Sequence, residues 1–135
     1  MGHMKTYTSW IVTVLAVVLI IGGISWYSMR VSGGPGKYDT FASCIAESKA
    51  KFFGAFWCPH CQTQKALFGK SAKKLPYIEC STPDGQGQTP ECVAAGIKSY
   101  PTWVFADGSQ KTGEIPLVDL ASSTRCVLAE DVPQK

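Results

Sequence analysis

Lys51-Phe52-Phe53-Gly54-Ala55-Phe56-Trp57-Cys58-Pro59-His60-Cys61 is the stretch that decides the fold. Its first seven residues form a short, mostly apolar run, bounded on one side by a lysine, and read as a buried strand. Pro59 then opens a helix expected to reach Lys74 with a bend near Gly69. Proline suits a first helical turn, where its missing N–H is one of the unpaired donors anyway. Two residues between the cysteines place Cys58 at the helix N-terminus and Cys61 one turn later on the same side. Their sulfurs can therefore join or part with little backbone movement. Cys58 is expected to be the exposed partner, facing unpaired backbone N–H groups and the positive end of the helix dipole, both of which favour a thiolate. The thiolate is the nucleophile in exchange chemistry. Cys61 is expected to be the more buried, less acidic, resolving thiol. His60 adds an imidazolium or a ring N–H beside Cys58. Stabilising the reduced form makes a disulfide more oxidising, so Pro59-His60 between the cysteines leans towards oxidation of partners.

Working outward, Asp39 is a candidate N-cap for a helix through Ser48, with Phe41, Cys44 and Ile45 on its apolar face. Pro76-Tyr77-Ile78-Glu79-Cys80 reads as a second strand. A polar loop, Ser81 to Gln88, leads to Thr89, the cap of a short helix from Pro90 to Ala95 closed by Gly96. Thr102–Phe105 and Gln110–Glu114 read as two strands of a hairpin turned at Asp107-Gly108. Leu117, Leu120 and Ala121 mark a last amphipathic helix reaching Cys126. The order is helix, strand, helix, strand, helix, hairpin, helix, a small α/β layered domain.

The N-terminal part is of another kind. Met1-Gly2-His3-Met4 reads as a cloning remnant before a start at Met4. Residues 6–29 carry no charge, and the apolar centre from Trp10 to Tyr27 is 18 residues long. A bilayer core about 30 Å thick needs roughly 20 helical residues, so the segment is just long enough to span. Trp10 at one end and Trp26 with Tyr27 at the other suit the two interfaces. A core helix is disfavoured, because so small a domain could not cover it on all sides. A cleaved signal peptide is disfavoured because Ser28-Met29-Arg30-Val31-Ser32 is a poor cleavage site. The reading is a single-pass anchor over 5–30, a flexible linker over 31–38 with Gly33-Gly34-Pro35-Gly36, and a domain over 39–132 with a frayed tail.

All six cysteines follow the apolar segment. An even, dense set of this kind argues for an oxidising compartment, which places the domain outside the cytoplasm, in a periplasm, a lumen or the cell exterior. Thirteen basic residues face ten acidic ones. Two of the basic ones, Lys5 and Arg30, precede the domain, which is therefore close to neutral. No basic stripe points to nucleic acid. Metal is disfavoured too: zinc needs about four ligands, and the only histidine besides His60 is His3.

Taken together, Gly54-Ala55-Phe56-Trp57-Cys58-Pro59-His60-Cys61, Leu67-Phe68-Gly69, Leu75-Pro76-Tyr77-Ile78-Glu79-Cys80 and Ala95-Gly96-Ile97-Lys98-Ser99-Tyr100-Pro101-Thr102-Trp103 resemble the thioredoxin-like domain of the bacterial vitamin K epoxide reductase homologues. The resemblance covers about residues 39–126. It implies a thioredoxin-like fold, a central mixed sheet flanked by helices, whose first strand is missing here because residues 31–38 are too rich in glycine. It implies a protein-disulfide oxidoreductase with Cys58 and Cys61 as its redox-active disulfide and no other cofactor. It implies cysteine-containing exported proteins as substrates and a vitamin K epoxide reductase-like quinone reductase in the same membrane as the enzyme that reoxidises the pair. Pro101, forty residues after Cys61, would be the cis-proline that packs against the C-x-x-C, with Trp57 and the Tyr100 backbone receiving an extended substrate segment. One departure stands out. Thioredoxins carry a buried acid six residues before the first motif cysteine, and here that position is Phe52.

Cys44, Cys80, Cys92 and Cys126 can pair in three ways. Cys80 at a strand end and Cys92 in the following helix, with a Gly-rich loop between, suit a local staple, and the resemblance supports it. Cys44 with Cys126 then remains, tying the first helix of the domain to the last. Stabilisation is the expected role, and electron shuttling to a partner the alternative. Rival readings of the whole are a reductase or isomerase using the same pair, a copper-delivery module holding Cu(I) through Cys58 and Cys61, and an inert interaction module.

Overall fold

The computed structural model describes residues 3–32 and 34–128. Residues 1–2, Gly33 and 129–135, which include parts of the expected remnant, linker and tail, lie outside them. The chain divides into two compact units, residues 1–34 and 35–135.

The first unit is one helix, α1 (His3–Ser32). It extends beyond the expected anchor at both ends, into Met4 and into Val31 and Ser32 of the expected linker. Ser9–Met29 is long and apolar enough to cross a membrane.

The second unit contains α2 (Asp39–Glu47), β1 (Lys51–Gly54), α3 (Pro59–Phe68), a 3-10 helix (Gly69–Lys74), β2 (Tyr77–Glu79), α4 (Pro90–Ala94), β3 (Thr102–Val104), β4 (Gln110–Thr112) and α5 (Leu117–Thr124). The element order is the one read from the sequence. Among the described residues the sheet has four strands in the order β2-β1-β3-β4. β1 runs parallel to β2, with Phe52 opposite Tyr77 and Gly54 opposite Glu79. β1 runs antiparallel to β3, with Phe52 opposite Trp103. The β3–β4 hairpin pairs Thr102 with Thr112.

β1 is central, and Phe52, Phe53 and Gly54 are all buried. An apolar run without alternation is what a strand covered on both faces requires. On one face Phe52 stacks on Trp103 at 4.6 Å and meets Tyr77 edge-on at 5.2 Å. Phe41, Ala42 and Ile45 of α2, Phe68 of α3 and Leu120 of α5 belong to the same core. On the other face Phe53 packs with Cys80, Cys92 and Ile97. The result is a mixed sheet between helices.

Several boundaries differ from the sequence reading, each for a local reason. β1 ends at Gly54 rather than Trp57, because the chain turns there and leaves Phe56 and Trp57 about half exposed. The helix from Pro59 stops at Phe68; Gly69 takes φ +52°, and the rest continues as the 3-10 helix. Asp39 is the first helical residue of α2, not its cap, which is Tyr38. Its carboxylate instead meets the Lys74 ammonium at 3.2 Å and ties α2 to the 3-10 helix. β4 ends at Thr112, before Gly113 at φ +98°. α5 ends at Thr124, before Arg125 in the left-handed region, so Cys126 lies beyond it.

Candidate active site

The C-terminal end of β1 delivers the chain into the site. The Cys58 N–H donates to the Ala55 carbonyl at 3.0 Å, which closes a turn immediately after the strand. Cys58 is the N-cap of α3, with extended backbone angles, and its Sγ accepts the Cys61 N–H at 3.3 Å. The sulfur thus takes the place that a serine or aspartate oxygen fills at ordinary helix starts. Both cysteines are free thiols. The expectation that Cys58 is exposed is corrected: it is only 4 % accessible, against 0 % for Cys61. Its sulfur folds inward onto the helix N-terminus and joins the core.

Cys61 is the buried member of the pair. Burial, and then its hydrogen bond with Cys58, push its thiol up to about 12, against smaller opposing effects of the Ala55 backbone and the Lys65 charge. Gly54 makes room for it. A Cβ at that position would lie 3.0 Å from the Cys61 sulfur and 2.8 Å from the Tyr77 ring.

The structure places the other expected residues around this pair. Pro59 occupies the first turn of α3. His60 is largely exposed, and its Nδ1 lies 2.7 Å from the Glu114 carboxylate. Among the described residues that is the ring's hydrogen-bond partner, and the Cys58 sulfur is not. Trp57 is half exposed and donates its indole N–H to Ser81 at 2.9 Å. Its ring meets that of Tyr100 edge-on at 6.1 Å. The Tyr100–Pro101 peptide is cis, and Pro101 is buried. Tyr100 also accepts a hydrogen bond from the Gln88 side chain at 2.8 Å. Among the described residues no backbone–backbone hydrogen bond uses the Tyr100 N–H or carbonyl. Cys80 is joined to Cys92, and Cys44 to Cys126.

Three residues escaped the sequence reading. The first is Glu79, whose Oε1 accepts the N–H groups of Phe56 (3.1 Å) and Ser81 (2.9 Å) while its Oε2 accepts the Tyr77 hydroxyl (2.8 Å). One carboxylate therefore fixes the loop before the cysteines and the loop after β2. Its sequence signal is an acid at the end of an apolar strand, Tyr77-Ile78-Glu79-Cys80. The second, Gln64, is fully buried on α3; its amide donates to the Ile115 carbonyl (3.0 Å) and accepts the Ile115 N–H (2.6 Å). The third is Lys65, whose ammonium sits 3.3 Å from the centre of the Tyr77 ring.

Comparison with known proteins agrees with this geometry. Residues 37–122 match the thioredoxin family. The thiol-disulfide oxidoreductase LTO1 of Arabidopsis thaliana is 45 % identical over 107 residues, covering 75 % of this chain and 28 % of that protein. The chain thus spans little more than a quarter of that relative's length. A cysteine sulfur capping the helix after a central strand, a second cysteine buried one turn on, and a match over most of the domain lead to one conclusion: this chain belongs to the thioredoxin family, with Cys58 and Cys61 placed together as a C-x-x-C pair.

Proposed function

We propose that the protein is a membrane-anchored thiol oxidase that introduces disulfides into exported proteins. A vitamin K epoxide reductase-like quinone reductase in the same membrane reoxidises it. The observation that carries the reading is the asymmetry of the pair: Cys58 receives the helix N-terminus and Cys61 is sealed in the core. A substrate thiolate attacks Sγ of Cys58, and the Cys58–Cys61 bond breaks with its electron pair leaving on Cys61. A second substrate thiolate then attacks the substrate sulfur of the mixed disulfide and releases Cys58. The substrate leaves oxidised, and the pair holds the two electrons for the quinone reductase.

Other features support the setting. The Ser9–Met29 helix supplies the anchor. The two further disulfides suit an oxidising compartment on the far side of the membrane. The half-exposed Phe56 and Trp57, with the Tyr100 backbone, offer an extended peptide a ledge beside Cys58. The named partner rests on the sequence resemblance.

The test is the reduction potential of the Cys58–Cys61 pair in the full chain in detergent, equilibrated against glutathione buffers of known poise. A value at or above about −180 mV is expected for an oxidase. A value near about −270 mV would replace this reading with a reductase.

A further inference from the structure

Opening the Cys58–Cys61 disulfide moves negative charge inward. The attacking thiolate comes from the surface, and the departing thiolate forms on Cys61, which is fully buried. A buried anion without a counter-charge is costly. In thioredoxins the buried acid near this sulfur serves its proton traffic, and Phe52 leaves that place apolar.

A cation stands close by instead. Lys65 follows Cys61 by four residues on α3, so the two share one helix face. Its half-buried side chain ends 3.3 Å from the centre of the Tyr77 ring. Gly54, which lacks a Cβ, allows the edge of that ring and the Cys61 sulfur to lie side by side above it. The Tyr77 hydroxyl donates to Glu79 at 2.8 Å, which fixes the ring plane and makes its face richer in electrons for the ammonium. The β1–β2 register sets Tyr77 opposite Phe52 and Glu79 opposite Gly54.

We propose that Lys65, seated on the Tyr77 ring, is the positioning residue that supplies the counter-charge for the Cys61 thiolate. The proposal rests on the oxidoreductase reading. The step balances without a further reactant: a substrate thiolate and the Cys58–Cys61 disulfide give a substrate–Cys58 disulfide and the Cys61 thiolate. The ammonium offsets the new charge. Lys65 and Tyr77 also line an open depression of about 380 Å³ with Ala72, Lys73 and Leu75, so the ammonium stands between the buried sulfur's helix face and solvent. The charged and titratable groups on these elements are Cys58, His60, Cys61 and Lys65 of the α3 segment, Lys70, Lys73 and Lys74 of the 3-10 helix, and Tyr77 and Glu79 of β2. Lysine, tyrosine and glutamate together thus place a positive charge near the sulfur where the acid is missing.

The experiment follows the opening of the oxidised full chain by dithiothreitol in detergent, by stopped-flow fluorescence at pH 7. Lys65→Met, which keeps length and loses charge, should slow opening about threefold, because a leaving thiol with a higher pKa departs more slowly. Lys65→Arg should restore the rate to within a factor of two. Tyr77→Leu, which removes the seat and keeps the lysine, should slow it to a similar degree. An unchanged rate in Lys65→Met, or equal slowing in Lys65→Met and Lys65→Arg, overturns the proposal. If the unsubstituted protein fails to exchange disulfides at all, the oxidoreductase reading itself falls.

Discussion

At the scale of single residues, the two motif cysteines differ mainly in what surrounds them. Cys58 retains slight accessibility at the helix N-terminus, whereas Cys61 has none and its thiol is raised to about 12. At pH 8 Cys61 is then held as the thiol. Brief iodoacetamide treatment of the reduced, folded protein at that pH should add one group, on Cys58, as read by peptide mass spectrometry. Labelling of Cys61 at a comparable rate would contradict the burial. The same shift has a consequence for stability. A thiol whose folded value lies above its ordinary 9.0 contributes stability that is whole below about pH 9 and is lost as pH rises towards 12. In the oxidised form Cys61 does not titrate. The excess stability of the oxidised over the reduced protein should therefore grow between pH 8 and pH 10.5, measured by urea unfolding of both forms. The cysteines could be read from their spacing alone. Lys65, Tyr77 and Glu79 could not, because what joins Lys65 of α3 to Tyr77 of β2 is a contact between helix and sheet that exists only in the fold.

At the scale of elements, the sequence shows where helices and strands lie more readily than where they stop. The apolar run of β1 was visible, but its end was not. Ala55, Phe56 and Trp57 are as apolar as a strand, and only the packing of the sheet reveals that Phe56 and Trp57 stand in solvent. The joint between α3 and the segment after β4 was likewise hidden. Gln64 looks like any polar helix residue, yet it is fully buried and satisfies both backbone groups of Ile115. Gln64→Leu fills similar volume but orphans a buried N–H and a carbonyl. Each costs about 1–3 kcal/mol, so a loss of about 2–6 kcal/mol is expected from urea denaturation. A loss under 1 kcal/mol would mean that water replaces the amide. Gly54→Ala tests the meeting of β1 with the site. The added methyl would press on the Tyr77 ring at 2.8 Å and on the Cys61 sulfur at 3.0 Å. Overpacking of this kind costs about 1–3 kcal/mol. Because it displaces the resolving sulfur, it should also slow disulfide exchange, and a destabilised variant with full exchange rate would show that the sulfur has room to move.

At the scale of the whole domain, the sheet, which among the described residues has four short strands, has to hold α2 and α5. α2 buries Phe41, Ala42 and Ile45, and the Cys44–Cys126 disulfide fastens it to the chain just beyond α5. That bond closes a loop of 82 residues, whereas Cys80–Cys92 closes one of 12. By chain entropy the longer closure contributes about 4.5 kcal/mol and the shorter about 3 kcal/mol. Domains of this size have a total stability of only about 5–15 kcal/mol. The Cys44→Ser, Cys126→Ser double variant should therefore lose about 2–4.5 kcal/mol in urea, and still oxidise a dithiol peptide at the unsubstituted rate wherever it remains folded. The other possible role for this pair, relaying electrons to a membrane partner, predicts the reverse pattern. Peptide oxidation in a single turnover would be normal, stability would fall little, and reoxidation by the quinone reductase would stop. The two roles separate because the distal pair lies outside the Cys58–Cys61 motif and neither of its cysteines sits at the start of a helix, so chemistry is not what its position favours.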